Sequence, residues 1–409
     1  MTPRYRRTLG AFVLLFVLSA FVGLAILAAP AAAENGSPSG SGSAAVASEF
    51  NPKPVPAVEA TAAIVMDMES GRVLYDKNAD ERLPMASTTK IMTGLLALEK
   101  LSAGQMVTAS ERACAAGESE MWLEPGEVIS VEYLLQGLLV RSGNDAAIAL
   151  AEAAAGTLED FLVLMNARAK ELGLANTSFS NPHGLDGANH YSSARDLARL
   201  GIIAMQHEEF RRIVGMQKVT IPWGNREGDR VFSSRNRLLK SVDYADGIKT
   251  GFTGKAGWCI VLSGTQRGAS LIVVVLGGKT QDSRDEEARK LLEYGFSLYQ
   301  ERVLVEKSAR VAAVPIPYHF GTEMPLVSES GLVRNLYHKD EIETVVDLEG
   351  DVSLPIERGQ VLGKVTFVRG ESTIGEVPLV AEISVGRATL GIKVKYFWAL
   401  FANWVGGIV

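Results

Sequence analysis

Hydrophobic positions along this chain come first as one long block, then as strands, then as helices, then as strands again. Residues 9 to about 29 are unbroken by charge, follow Arg4, Arg6 and Arg7, and lead into Pro30 and the small residues Ala31, Ala32 and Ala33. A cationic start, an apolar block and an A-x-A site predict an export signal over residues 1–33. The block is nearer the ~20 residues that span a bilayer than the ~7–15 of a signal core, so an uncleaved signal anchor is the alternative. Residues 34–55 are rich in Gly and Ser, then Pro, and predict a flexible linker.

Beyond the linker, residues 61–68 and 72–76 are β-rich runs around Glu69-Ser70-Gly71, a hairpin pattern. Ser87 suits a helix N-cap, and Ile91, Leu95, Leu96 and Leu98 extend that helix to about Leu101. Residues 131–140 and 146–155 read as two helices broken at Ser142-Gly143-Asn144, and 158–172 as an amphipathic helix. Residues 258–265 and 269–277 form a second hairpin pattern, and 282–299 return to helix. Strands at both ends with helices between them predict an α+β domain over 56–300, an antiparallel sheet with a helical cluster alongside. Short alternating runs at 309–315, 341–347 and 361–368 predict a small all-β domain over 306–388. In residues 391–409, Lys393 and Lys395 precede Tyr396, Phe397, Trp398, Phe401 and Trp404. Aromatics beside cations predict an amphipathic membrane-surface segment; a helix docked on its own domain is the alternative.

Composition narrows the function. The 409 residues suit two domains, and a net charge of −6 offers no basic field for nucleic acid. No Gly-rich phosphate loop follows a strand pattern, and the five His residues form no H-E-x-x-H, so neither a cofactor nor a metal is expected. Cys114 and Cys259 match no disulfide framework, and Cys259, in an apolar run, reads as a buried free thiol.

Three short motifs occur in order: Ser87-Thr88-Thr89-Lys90, Ser142-Gly143-Asn144 and Lys249-Thr250-Gly251. A serine hydroxyl is a weak nucleophile until a base takes its proton. Ser87 and Lys90 are one turn apart, and a lysine desolvated at a helix N-terminus beside another cation loses affinity for its proton. Ser142 can relay a proton to a leaving amine, and the Asn144 amide can contact a peptide. Lys249-Thr250-Gly251 sits before an apolar strand: Lys249 supplies fixed charge, Thr250 a hydroxyl for a carboxylate, and Gly251 close approach along the strand edge.

S-x-x-K, S-x-N and K-T-G together form the penicillin-binding-protein and β-lactamase set. With Asn181-Pro182-His183-Gly184-Leu185 and Asp246-Gly247-Ile248 beside them, the chain resembles the low-molecular-mass penicillin-binding proteins, the serine-type D-Ala-D-Ala carboxypeptidases. That resemblance implies a β-lactamase-like serine transpeptidase domain followed by the small all-β domain. It implies Ser87 as acyl-enzyme nucleophile, Lys90 as its base, Ser142 as relay, and Asn144, Lys249, Thr250 and Gly251 as substrate contacts. The backbone N–H groups of Ser87 and Phe252 would form the oxyanion hole. Relatives often have His where Phe252 stands, so any side-chain role there is lost. Arg235 would meet the substrate carboxylate with its guanidinium fork. The implied partners are peptidoglycan stem peptides ending in D-Ala-D-Ala, β-lactam antibiotics as covalent inhibitors, and the extracytoplasmic face of the bacterial cytoplasmic membrane.

The same site could run an endopeptidase or transpeptidase reaction. A β-lactamase of class A needs a deacylating glutamate after the second motif, and Glu159, on the amphipathic helix, is a poor fit. A non-catalytic wall-binding protein is the remaining rival, and intact motifs argue against it.

Overall fold

The computed structural model describes residues 50–350 and 352–406. The expected export signal and the Gly/Ser stretch up to residue 49 lie outside the described residues.

The first hairpin is β1 (Ala62–Asp67) and β2 (Val73–Lys77). Helices and short strands follow: α1 (Lys90–Lys100), β3 (Met106–Thr108), α2 (Glu111–Cys114), β4 (Val128–Ser130) and α3 (Val131–Gln136). After a π-helical turn at Gly137–Arg141 come α4 (Asn144–Ala155) and α5 (Leu158–Glu171). The next stretch carries α6 (Ala194–Ala204), α7 (Glu208–Val214), the hairpin β5 (Lys218–Pro222) and β6 (Asp229–Ser233), and α8 (Leu238–Ser241). It closes with β7 (Ala245–Thr253), β8 (Gly257–Gln266), β9 (Ala269–Gly278) and α9 (Gln281–Ser297).

The main sheet is antiparallel throughout, in the order β2-β1-β9-β8-β7, so its two ends of chain meet at the β1–β9 pair. Successive strand residues point to opposite faces. Ala63, Val65, Ile260, Leu262, Val273 and Val275 pack on one side with Ala288, Leu291 and Leu292 of α9. Ile64, Met66, Cys259, Val261, Ile272 and Val274 pack on the other with Ile91, Leu95, Leu197 and Leu200. Both faces are covered, which is why these strands read as continuous apolar runs. Helix α1 is buried from Lys90 to Ala97, as its lack of a polar face requires.

Two expectations change. Ser87 does not cap α1: it lies in a 3₁₀ turn, Ala86–Thr89, with no side-chain capping bond, and the α-helix begins at Lys90. Its hydroxyl turns instead to the lysine one turn on. Lys249-Thr250-Gly251 does not precede a strand but lies within β7, the edge of the main sheet. The stretch from α6 to β6, for which the chain's pattern predicts no element, packs Phe210, Ile213, Val219 and Ile221 into the same core.

Helix α9 ends at Ser297 and β10 (Tyr299–Val305) starts before the change of texture at Glu306. Then come β11 (Arg310–Pro315), β12 (Glu323–Ser328), β13 (Leu332–Tyr337), β14 (Glu343–Leu348), β15 (Val361–Arg369) and β16 (Ser372–Ala381). They form a five-stranded sheet, β11-β12-β16-β15-β14, and a β10–β13 pair around Met324, Leu326, Leu362, Phe367 and Leu379. This region is tied to the first hairpin by polar contacts. The Arg72 guanidinium lies 2.7 Å from the buried Asp340 carboxylate, Arg369 bridges Asp340 and Glu69, and the Tyr299 hydroxyl donates to Asp67. The last helix, α10 (Leu390–Gly406), exposes Phe397, Trp398, Phe401 and Trp404. No helix of the described residues is long and apolar enough to cross a membrane.

Candidate active site

The turn before α1 sets the first motif. Ala86 has φ +49 and is buried, a left-handed conformation costing a non-glycine residue about 1–3 kcal/mol. It is accommodated because two glycines flank it. A Cβ added at Gly184 would lie 2.0 Å from the Ala86 carbonyl oxygen, and one at Gly251 would lie 2.7 Å from the Ser87 nitrogen. The Ala86–Ser87 peptide is therefore held between the 181–190 loop and the free edge of β7.

Lys90 Nζ sits 2.9 Å from Ser87 Oγ, 2.7 Å from Asn144 Oδ1 and 2.6 Å from the His183 carbonyl oxygen. The last two can only accept. A neutral amine would spend its two hydrogens on them and aim its lone pair at the Ser87 hydroxyl. Burial, then the charge of Lys249, pushes the Lys90 pKa well below its ordinary value, against a smaller opposing pull from Asp145.

The π turn and the left-handed Ser142 (φ 72) bring the second motif inward, as helix irregularities often do at sites. Ser142 Oγ accepts from Lys249 Nζ at 2.9 Å, and Lys249 also donates to the Thr250 carbonyl at 2.8 Å. Lys249 is buried; that burial, with repulsion from Arg235 and Arg284, lowers its pKa to about 7. Asn144, expected as a peptide contact, is anchored within the protein and keeps one Nδ2 hydrogen for such a contact. Its Oδ1 takes Lys90 and its Nδ2 donates to the Gly117 carbonyl at 2.9 Å, so both polar ends are engaged within the protein.

Ser87, Ser142, Arg235, Thr250, Gly251 and Phe252 line one cleft of about 250 Å³. The three motifs thus share one cavity; a larger hollow near Arg211 and Asp246 contains none of them. The Phe252 ring packs against Trp258, tilted by 35° with ring centroids 4.4 Å apart.

Several residues of the site carry little or no sign in the sequence. Arg284 lines the cleft from α9, where it falls on the buried stripe of Ala288, Leu291 and Leu292; a charge on an apolar stripe is its available signal. Asp145 accepts from the Met121 and Leu123 amides and so holds the loop bearing Ser119, another lining residue. His183 and His190 are both lowered by burial, to about 3 and about 4, and stand behind Lys90 and Thr89. His183 falls in the Asn181–Leu185 stretch that carries the resemblance, though with no role of its own there; nothing local assigns Asp145 or His190 a role.

The profile of the D-alanyl-D-alanine carboxypeptidase family matches residues 48–280. The chain belongs to the D-alanyl-D-alanine carboxypeptidase family. The profile of the penicillin-binding protein 5 C-terminal domain matches residues 290–387. Among carboxypeptidases of this family, the chain is 35% identical to DacF of Bacillus subtilis over 343 residues, 81% of this chain and 87% of that one. It is 36% identical to DacC of Escherichia coli over 375 residues, 86% and 90% of the two chains. The solved D-alanyl-D-alanine carboxypeptidase DacD of Francisella tularensis superposes with a TM-score of 0.59 at 30% identity, covering 83% of this chain and 96% of that one.

Proposed function

We propose that the protein removes the terminal D-alanine from peptidoglycan stem peptides through an acyl-enzyme on Ser87. The observation that carries this reading is the bracketing of Lys90 Nζ by two obligate acceptors, with the Ser87 hydroxyl as its third neighbour.

Neutral Lys90 takes the Ser87 proton as Oγ attacks the carbonyl carbon of the penultimate D-alanine. The backbone N–H groups of Ser87 and Phe252 receive the developing oxyanion. When the C–N bond breaks, the proton gained by Lys90 passes through the Ser142 hydroxyl to the departing nitrogen, and Lys90 is neutral again. Water then attacks the Ser87 ester and gives a proton to Lys90; the ester C–O bond breaks, Lys90 returns that proton to Ser87 Oγ, and the shortened peptide leaves. Lys249, Thr250 and Arg235 hold the terminal carboxylate, while Asn144 acts by fixing Lys90. A β-lactam enters by the same attack and leaves an ester on Ser87.

On this reading residues 56–300 are the catalytic domain and 306–388 an accessory all-β domain. Residues 1–33 direct export to the outer face of the cytoplasmic membrane, and 391–409 rest on that membrane. The exposed aromatic side of α10, with Lys393 and Lys395 beside it, supports the last assignment.

The test is D-alanine release from a synthetic pentapeptide by wild-type protein and Ser87→Ala, with mass spectrometry after penicillin. Release and a single adduct on Ser87 are expected from wild type and neither from the variant. Cleavage by Ser87→Ala would overturn the mechanism, and rapid turnover of penicillin would favour a lactamase.

A further inference from the structure

The Ser87 hydroxyl has its base in Lys90, but the backbone N–H of the same residue must also be aimed, and its neighbour Ala86 is strained. A chain of hydrogen bonds behind that peptide does the aiming. The Ser180 N–H lies 3.0 Å from His190 Nδ1 and can only donate, so Nδ1 is the unprotonated nitrogen. Neutral His190, its pKa lowered by burial, therefore carries its hydrogen on Nε2, 2.9 Å from Thr89 Oγ1. Having accepted that hydrogen, the Thr89 hydroxyl turns its own to the Ala86 carbonyl at 2.8 Å. Thr89 and His190 are both buried, and the order of donors admits no reversal.

A peptide group is planar and trans, so its C=O and N–H point in opposite directions. Holding the Ala86 oxygen from behind fixes the direction of the Ser87 N–H in front. Gly184 presses on the carbonyl side and Gly251 of β7 stands against the nitrogen. We propose that Thr89 and His190 are positioning residues that orient the oxyanion-binding N–H of Ser87 by anchoring the Ala86 carbonyl from the rear. The proposal rests on the assignment of Ser87 as nucleophile. A hydroxyl back-bonded to a carbonyl three residues earlier is common in first helical turns. Here it is oriented by a buried histidine 101 residues away and acts on a residue with positive φ.

The effect is specific. Losing the anchor lets the peptide rotate toward a relaxed φ, which misaims the oxyanion donor but leaves the carboxylate contacts and Lys90 in place. Thr89→Val keeps the branched shape without the hydroxyl; Thr89→Ser keeps the hydroxyl without the methyl. His190→Gln can retain an acceptor and a donor; His190→Leu retains neither.

The experiment measures the acylation rate with benzylpenicillin, and kcat and KM for D-alanine release across pH, on the full-length protein, with a thermal melt for each variant. Thr89→Val should slow acylation and lower kcat by about tenfold or more, since one lost oxyanion donor is worth about 10²–10³. KM should stay within about threefold, the acid limb of the pH profile should not move, and Thr89→Ser should recover most of the rate. His190→Leu should fall in the same direction and His190→Gln should recover. Thr89→Val acylating at the wild-type rate, or Thr89→Ser falling as far as Thr89→Val, overturns the proposal. So does a shifted acid limb, which would place the effect on Lys90. Should Thr89→Val fail to fold, equal rates for His190→Leu and His190→Gln overturn it as well. A wild-type protein that forms no adduct on Ser87 overturns the nucleophile assignment and this proposal together; normal wild-type acylation separates the two.

Discussion

Lys249 Nζ lies 2.9 Å from Ser142 Oγ, with Lys249 2% exposed and Ser142 6% exposed. An ammonium in that position has lost its hydration and faces the guanidinium charges of Arg235 and Arg284, which brings its pKa to about 7. Lys90, whose pKa is also lowered, by burial and then by the charge of Lys249, is the other half of the arrangement. The proposed mechanism asks opposite things of the two amines. Lys90 must be neutral to take a proton, and Lys249 charged to hold a carboxylate.

The pH profile follows with its sign. Activity is lost as pH falls and Lys90 gains a proton, and lost as pH rises through the folded pKa of Lys249. In kcat/KM, which reports the free enzyme, the alkaline limb should lie near about 7. A bound substrate carboxylate favours the charged lysine, so the same limb in kcat should lie higher. Lys249→Arg stays charged at every accessible pH and should lose the alkaline limb even as its maximal rate drops. Rates of D-alanine release between about pH 5 and 10 check this; an unmoved limb in Lys249→Arg would assign it to another group.

How far the chain's own pattern reaches depends on distance along it. Ser87 and Lys90 are three apart, so any helical turn puts them on one side, and the short motifs at Ser142 and Lys249 carry their own signals. Even there, local rules misjudge Ser87 as a cap, because its oxygen serves Lys90 instead of a backbone amide. The strands of the main sheet are legible because burial on both faces demands continuous apolar runs. What stays hidden is long-range: Asp145 reaching Met121, His190 reaching Thr89, and Asn144 turning both ends to protein. These depend on which loops the packed core brings together, and no spacing encodes that. Arg284 lies between the two cases, visible only as a charge on an apolar stripe.

Gly184 should tolerate no side chain. Its φ is +97 and an added Cβ would lie 2.0 Å from the Ala86 oxygen and 2.4 Å from its carbon, both backbone. The 181–190 loop and the Ser87 turn must part to admit it. Gly184→Ala should reduce penicillin acylation by more than about 100-fold, since shifts of about 1 Å cost that much. Gly71, with φ +69 but nothing within 4 Å of an added Cβ, is the control. Gly71→Ala should cost about 1–2 kcal/mol of stability and leave acylation unchanged. Stopped-flow acylation and thermal melts on both variants decide it.

Asp340 should matter to stability and not to chemistry. Its side chain is fully buried between Arg72 and Arg369, which belong to the first hairpin and to β15. Arg72 also lies over the Tyr337 ring, 4.2 Å from its centroid. Removing a buried partner leaves charge uncompensated, a loss of about 3–5 kcal/mol; Arg72 is a third exposed and can partly rehydrate, which favours the lower end. Asp340→Ala should therefore unfold at lower denaturant while its penicillin acylation rate stays within about twofold, because among the described residues its arginine partners are Arg72, Arg302 and Arg369, none of which lines the cleft. Equal loss of both would mean that the joint shapes the cleft.

The exposed side of α10 makes the membrane reading measurable. Phe397, Trp398, Phe401 and Trp404 are each more than half exposed, and Val394 joins three of them around a shallow apolar hollow. Tyr396 instead turns to Tyr318, and Lys393 lies over that ring, so one side of the helix already has a protein partner. A helix held on one side and apolar on the other suits an interface. Phe and Trp each contribute about 2–3 kcal/mol when fully buried, so Trp398→Ser with Phe401→Ser should weaken partitioning to vesicles by at least about tenfold. Adding anionic lipid should strengthen wild-type binding through Lys393 and Lys395, and salt should reverse that gain. D-alanine release from a soluble pentapeptide should be the same for both proteins. Vesicle sedimentation gives the answer: if the double variant binds as tightly as wild type, this side of α10 is not what meets the bilayer.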